Sequence, residues 1–464
     1  MLFTSILSLV SKKAAEFAVE LGVKAGQAIV GAVRDATVSA WEAGTRAVQN
    51  AWQSAKDNAN QTKESIAGWL GEFKTPKDSG SPEFKKKQAI REYNALLGTT
   101  GTGTPEESVC LPCLAASKGR RRKERQELMR AAQNKAAGDP IAGGRVWAAT
   151  NRLAGDMDRV EDARLALHTY TANETSPQEG FLKPLRDTAP PGFSQPPLDQ
   201  VAADFGMDPA KLESMLNDPN SSQRIEIYQR DEAVLGPGPK YTVAFRGSTA
   251  DKRDWNDNGK NEMGFEAPHQ ANAIRLGEAM ALGAAQQGKD VKSLVGTTGH
   301  SKGGSEAQAF AAASGADARV FNPAGFDPQQ YSSLRARGIT PAKMNIDRTT
   351  VIERDAVGKV VEKTTDPLYY SQHEMAVVSN FMKRPVTTGG ARELAPVAPS
   401  LTGPNGEMSD TEPHSMLQVI EGLERDKQAD EQMLKDFLAA KPPTPPGLMP
   451  VPLGGVANST PQFR

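Results

Sequence analysis

Val291-Lys292-Ser293-Leu294-Val295-Gly296-Thr297-Thr298-Gly299-His300-Ser301-Lys302-Gly303-Gly304-Ser305 is the stretch on which the reading of this chain turns. The apolar run 291–297 predicts a strand, and the alanine-rich run 305–314 predicts a helix. Between them Gly299-His300-Ser301-Lys302-Gly303 fits G-x-S-x-G. In that setting the serine sits on a sharp turn from strand to helix, and the glycines clear room for the strained backbone. Bare G-x-S-x-G occurs by chance in long chains, so the flanking strand and helix carry the weight. The bland alternative is a glycine-rich turn with an idle serine.

The surroundings extend the same pattern. Residues 224–228 alternate like a strand, and 241–245, 293–296 and 318–321 are short apolar strands. Helical patterns at 271–287 and 305–313 lie between them. Strands alternating with helices predict an α/β fold with a mostly parallel sheet.

Upstream of the elbow stands Val243-Ala244-Phe245-Arg246-Gly247-Ser248, followed by Asp254-Trp255-Asn256-Asp257-Asn258. Phe-Arg-Gly-Ser with Asp-Trp shortly after it resembles the class 3 (fungal-type) lipases of the α/β-hydrolase superfamily. The Gly-His-Ser-Lys-Gly-Gly form resembles bacterial lipase-like α/β-hydrolases. Together with Ala189-Pro190-Pro191-Gly192-Phe193 and the strand at 224–228, it looks like the phospholipase-type effectors of bacterial type VI secretion. The resemblance covers about 185–425 and is specific at its two motifs. It implies an α/β-hydrolase core in which Ser248 lends its backbone N–H and hydroxyl to an oxyanion hole. It also implies a lipase or phospholipase acting on acyl esters of membrane lipids, in the role of a secreted toxin. A soluble carboxylesterase or thioesterase, or a non-catalytic interaction protein on the same fold, are the alternatives.

Acyl transfer by a serine requires a base, an acid to orient it, and oxyanion donors. In this chain order the acid and then the histidine follow the nucleophile. Only His373 and His414 lie after Ser301. His414 opens the amphipathic pattern Met416-Leu417-Gln418-Val419-Ile420 and is the expected base, while His373 is expected to line a nearby loop. For the acid, Asp366 in Thr365-Asp366-Pro367-Leu368 matches the family's Asp-Pro-aliphatic loop. Asp355 is the alternative, unless 351–362 is a hairpin that makes it a turn residue. The Lys302 N–H is the second expected oxyanion donor. Its side chain is expected to face solvent or pair with a carboxylate, with attraction of a phosphate head group as the sharper alternative. His168 and His269 are expected to be surface or packing residues. No metal or organic cofactor is expected.

The rest of the chain sets bounds. Among 464 residues, 55 lysines and arginines against 56 acidic residues give a net charge of −1, which argues against a whole-chain nucleic-acid binder. Two cysteines exclude a disulfide scaffold, and Cys110-Leu111-Pro112-Cys113 lacks the second pair of a zinc site. Those thiols are read as incidental, or as partner-dependent. The basic run 118–125 is read as a solvated helix face, or as a contact for acidic lipid or an acidic partner. Met1-Leu2-Phe3-Thr4-Ser5-Ile6-Leu7 lacks the basic start of a secretory signal, so a protein leaving its cell is expected to do so by a dedicated machine or a carrier. The resemblance to effector phospholipases implies an immunity protein as partner.

Four segments are expected: an amphipathic helical region at 1–75, a linker and helical segment at 76–180, the hydrolase domain at 181–440, and a proline-rich disordered tail at 441–464. The first, a hairpin or coiled coil, is alternatively a membrane- or partner-docking arm. The stretch 370–412, rich in proline and glycine, is read as a lid or a long loop.

Overall fold

The computed structural model describes residues 82–98, 110–137, 140–171, 188–249, 251–262, 265–366, 368–369, 389–397 and 412–440. The expected helical region at 1–75, the tail at 441–464 and His373 lie outside them.

Seven strands form one sheet in chain order: β1 (Phe193–Ser194), β2 (Ile225–Arg230), β3 (Tyr241–Phe245), β4 (Val295–His300), β5 (Ala318–Phe321), β6 (Ile346–Val351) and β7 (Gly390–Leu394). The β1/β2 and β2/β3 pairs are antiparallel, and β3 through β7 run parallel. The fold is therefore α/β with a mostly parallel sheet. The strand before the serine starts later than its apolar pattern suggests. Val291–Leu294 is a helical turn, because the Asp290 carboxylate accepts from the Lys292 N–H and caps it. Residues 390–394, inside the stretch read as lid or loop, form the edge strand β7.

Parallel strands in sequential order make every crossover run the same way across the sheet. Right-handed crossovers then place the connecting helices on one face. Seven helices matter for the site: α1 (Pro82–Leu97), α2 (Leu111–Ala136), α3 (Pro140–Thr171), α4 (Lys252–Glu262), α5 (Pro268–Gln286), α6 (Lys302–Ser314) and α7 (Met416–Ala439). Leu276 and Met280 of α5 and Phe310 of α6 pack with Tyr241, Val243, Phe245, Val295 and Val320 on the crossover face. All thirteen residues of α6 are buried, which its run of Gly, Ala and Ser makes sterically feasible.

The opposite face must be covered by chain from outside the β3–β7 run. Val160 and Ala163 of α3 and Leu417, Val419 and Ile420 of α7 meet Phe321, Val351 and Leu394 there, while Leu165 meets Tyr228 and Ala244. Successive β3 residues thus serve opposite layers, as the pleat requires. Helix α3 is enclosed between the sheet and α7. Its Arg164 is fully buried, paired with Glu161 and Glu424 and donating to the Ala95 carbonyl. The Arg91 guanidinium of α1 meets both Glu421 oxygens at 2.6 and 2.7 Å.

The basic run splits by side. Lys118, Arg122 and Arg125 turn inward onto Glu161, Asp158 and Glu431, whereas Arg120, Arg121 and Lys123 are exposed. Cys110 and Cys113 are joined as a disulfide at the start of α2, correcting the reading of two incidental thiols.

Phe310 is fully buried, with its ring centroid 6.0 Å from that of Phe245. Phe310→Ala is expected to cost about 3–5 kcal/mol of unfolding free energy. Denaturant titration checks this, and a loss under about 1 kcal/mol would contradict the packing described.

Candidate active site

The carboxyl ends of the parallel strands, where open α/β sheets place ligands, bring the predicted residues together. Ser301 follows β4 with φ 56° and ψ −126°. A non-glycine residue at such φ is strained, and its surroundings must hold it there. Here the Ser301 N–H donates to the Phe321 carbonyl at 3.1 Å, and its own carbonyl accepts from Gly304 and Ala324, each at 2.9 Å. A Cβ on Gly299 would strike the Gly303 carbonyl, and one on Gly303 would strike the Phe245 carbonyl. Both glycines of the motif are thus required by close approach.

Asp366 lies just beyond β6, its N–H donating to the Val351 carbonyl at 2.8 Å. Its Oδ1 lies 2.6 Å from His414 Nδ1, and Asp366 is 1% exposed. With Nδ1 on the acid, His414 has Nε2 left for proton exchange. The expected alternative, Asp355, lies elsewhere. It is exposed in a hairpin turn, where its carboxylate accepts from the Val357 and Lys359 N–H groups.

Two residues not assigned a role in the sequence hold His414 in place. His300 Nε2 lies 2.7 Å from the His414 carbonyl oxygen, and His300 Nδ1 lies 2.8 Å from the Tyr170 hydroxyl. A carbonyl only accepts, so Nε2 carries the proton, Nδ1 accepts, and Tyr170 donates. The chain Tyr170–His300–His414 therefore runs from the end of α3 through the elbow to the segment that leads into α7. The His300 and His414 ring centroids are 4.7 Å apart. Burial, with His414 adding to it, holds the His300 imidazole well below its ordinary range, and so neutral. Asn322, at φ 40°, is the second support. Its amide donates to the Pro413 carbonyl at 3.0 Å and accepts from the Val351 N–H at 3.0 Å, tying the ends of β5 and β6 to the segment carrying His414.

The loop after β3 passes against the elbow. A Cβ on Gly247 would collide with the Tyr170 hydroxyl and the His300 carbonyl and come within 3.1 Å of the Ser301 Cβ. Ser248 follows it, and its Oγ accepts from Asn258 Nδ2 of α4 at 2.7 Å. Lys302 is the first residue of α6, so its N–H has no acceptor within the helix. Its side chain pairs with Asp254 at 2.6 Å and is buried, as the carboxylate reading expected, and so it is out of reach of a head group. His168 is buried and bonds the Tyr228 hydroxyl at 2.7 Å, a packing role. His269 is buried beside Lys302. Ligand atoms of Asp257, His269 and Glu306 lie within 4.8 Å of one another, and the Lys302 ammonium already stands 2.7 Å from His269 Nδ1.

Sequence reasoning had no means of finding Tyr170, Asn322 or the role of His300. Nothing local marks a residue whose partners lie between 29 and 130 positions away.

A family model described as a Tle-like phospholipase domain matches residues 161–413. The chain is also similar to the extracellular phospholipase A1 of Serratia liquefaciens, with 28% identity over 205 residues, covering 42% of this chain and 57% of that protein. The chain thus spans little more than half the length of that relative.

His300→Gln keeps a donor toward the His414 carbonyl and an acceptor for Tyr170, so it is expected to keep the fold, whereas His300→Phe, which offers neither, is expected to lower the thermal midpoint. Because folding lowers the His300 pKa, the unfolded state binds more protons below about 6.5, and wild-type stability falls as pH drops through that value. His300→Gln should show a shallower fall in thermal midpoint between about pH 6.5 and 5. Parallel pH profiles for the two proteins would contradict a buried neutral imidazole.

Proposed function

Because the chain belongs to the family of Tle-like phospholipase domains, whose model spans more than half of it, we propose that it is a serine phospholipase of the A type. The observation that carries this reading is the 2.6 Å contact of His414 with buried Asp366, taken with a serine held on a strained strand-to-helix turn.

In this mechanism Ser301 Oγ attacks the acyl ester carbonyl while His414 Nε2 takes its proton. Asp366 keeps the imidazole in the correct tautomer and stabilises its cation. The oxyanion forms against the Ser248 N–H and hydroxyl and the Lys302 N–H, at the positive end of α6. His414 returns the proton to the departing lysophospholipid alkoxide. Water, activated by the same histidine, then cleaves the acyl-enzyme and releases a free fatty acid.

The proposed biological role is a toxin carried into a target cell by a secretion machine and restrained in its producer by an immunity protein. Its support is the likeness to effector phospholipases and the need of any such enzyme for restraint. The substrate is proposed to be membrane phospholipid met from the aqueous side. Among the described residues no helix is long and apolar enough to cross a membrane.

Phospholipid vesicles incubated with wild type should yield fatty acid and lysophospholipid, identified by mass. Ser301→Ala and His414→Ala should lower kcat by about 10³-fold or more, and Asp366→Asn by a comparable factor. Undiminished hydrolysis by Ser301→Ala would refute the nucleophile. Cleavage of short soluble esters but not of vesicles would replace the phospholipase with a soluble esterase.

A further inference from the structure

The residue that follows Ser301 is a lysine that never reaches water. Lys302 Nζ lies 2.6 Å from Asp254 Oδ1, 2.7 Å from His269 Nδ1 and 3.5 Å from Glu306 Oε1. Its side chain is 2% exposed, and those of Asp254 and Glu306 are 0% exposed. Asp254 and His269 thus hydrogen-bond the ammonium, and Glu306 Oε1 faces it at ion-pair distance. His269 Nδ1 accepts, so its Nε2 carries the proton and donates to the Ser221 hydroxyl at 3.0 Å.

Asp254 divides its oxygens between two segments. Oδ1 accepts from Lys302 and from the Ser222 hydroxyl at 2.7 Å. Oδ2 accepts from the Thr249 N–H at 2.8 Å and the Thr249 hydroxyl at 2.9 Å. Thr249 directly follows Ser248. One carboxylate therefore grips the first residue of α6 on one side and the loop bearing Ser248 on the other. We propose that the buried Lys302–Asp254 pair is a positioning clamp that sets the spacing of the two oxyanion donors, Ser248 and the Lys302 N–H. This rests on the reading of Ser301 as nucleophile.

Three considerations support the clamp. The donors come from different crossovers, and a working oxyanion hole tolerates only about 0.5 Å of misplacement. A buried ion pair is weak evidence for stability, since well-packed apolar residues do as well or better in its place. Its use here therefore lies in fixing geometry. Asp254 is also held as a carboxylate: burial pushes its carboxyl up, but Lys302 and the converging donors outweigh it and hold the group below its usual range. Neighbouring Asp257, where burial outweighs the pull of His269 and Lys302, is raised.

The test uses the full chain in four forms beside wild type: Lys302→Met, the charge-free double variant Lys302→Met/Asp254→Asn, the near-isosteric Thr249→Val, and Ser301→Ala. Active sites are titrated with a fluorophosphonate, kcat and KM are measured on a soluble ester, and affinity for an alkyl boronic acid reports tetrahedral-adduct binding. The clamp predicts that kcat per titrated site falls about 10²-fold in the Lys302 variants, with KM within about threefold. Boronate affinity should fall in step, and Thr249→Val should lose about tenfold in kcat at an unchanged thermal midpoint. A purely structural pair would instead lower the midpoint and leave kcat per titrated site within about threefold of wild type, which would overturn the proposal. If the Lys302 variants do not fold, Thr249→Val decides alone. If Ser301→Ala keeps its hydrolysis, the nucleophile reading fails, and the clamp with it.

Discussion

The backbone at Ser301 is the constraint around which the rest is arranged. A serine at φ 56° is unfavourable by itself and persists only where neighbours over-determine it. The neighbours here are the end of β5 through the Phe321 carbonyl, the start of α6 through Gly304, and the Ala324 N–H beyond β5. Gly299 and Gly303 let β4, α6 and the end of β3 approach more closely than any side chain allows. That closeness brings the loop with Ser248 onto the elbow, and Asn322 and His300 bring His414 to it from β5 and β4. The strain is local, but its support draws on most of the parallel sheet.

What the amino-acid sequence revealed follows from the range of each signal. The strand–turn–helix around Ser301 is local, so pattern and turn chemistry were enough to read it. The chain order of serine, acid and histidine narrowed the base to two positions and the acid to two. Asp355 is distinguished from Asp366 by an Asx-type turn, which Asp355-Ala356-Val357-Gly358 foreshadowed. β6 and β7 were not legible. Ile346-Asp347-Arg348-Thr349 carries two charges on a half-buried strand, and Gly390-Ala391-Arg392-Glu393-Leu394 buries only Leu394. An edge strand with one anchored residue, as β7 is, has little hydrophobic pattern to show. Lys302 was legible as an exception to an apolar position, but its partner, 48 residues away, was not.

Charge inside this protein is concentrated in polar junctions between elements. Lys118, Glu161 and Arg164 join α2 and α3, and Glu424 and Lys427 extend the set to α7. Burial, reinforced by neighbouring cations, lowers Lys118 to about 8 against the pull of Glu161. The same cations outweigh burial at Glu161 and Glu424 and lower each to about 2. Half of the basic run is thus consumed internally, leaving Arg120, Arg121 and Lys123 as its outward charges.

The two helices that cover the second face of the sheet come from opposite sides of the strand sequence. α3 precedes every strand and α7 follows every strand, and they meet through Arg152–Asp430 and Arg164–Glu424, contacts that span 278 and 260 residues. A ribosome releases α3 and all seven strands before it releases α7. Until then Phe321, Val351 and Leu394 lack the part of their cover that α7 supplies, and His300 and Asn322 stand without the segment they hold. High contact order of this kind slows folding and leaves a nascent chain open on one side. It also orders events in time: the turn at Ser301 can form early, while His414 joins the fold only with the segment that leads into α7, after every described strand has been made.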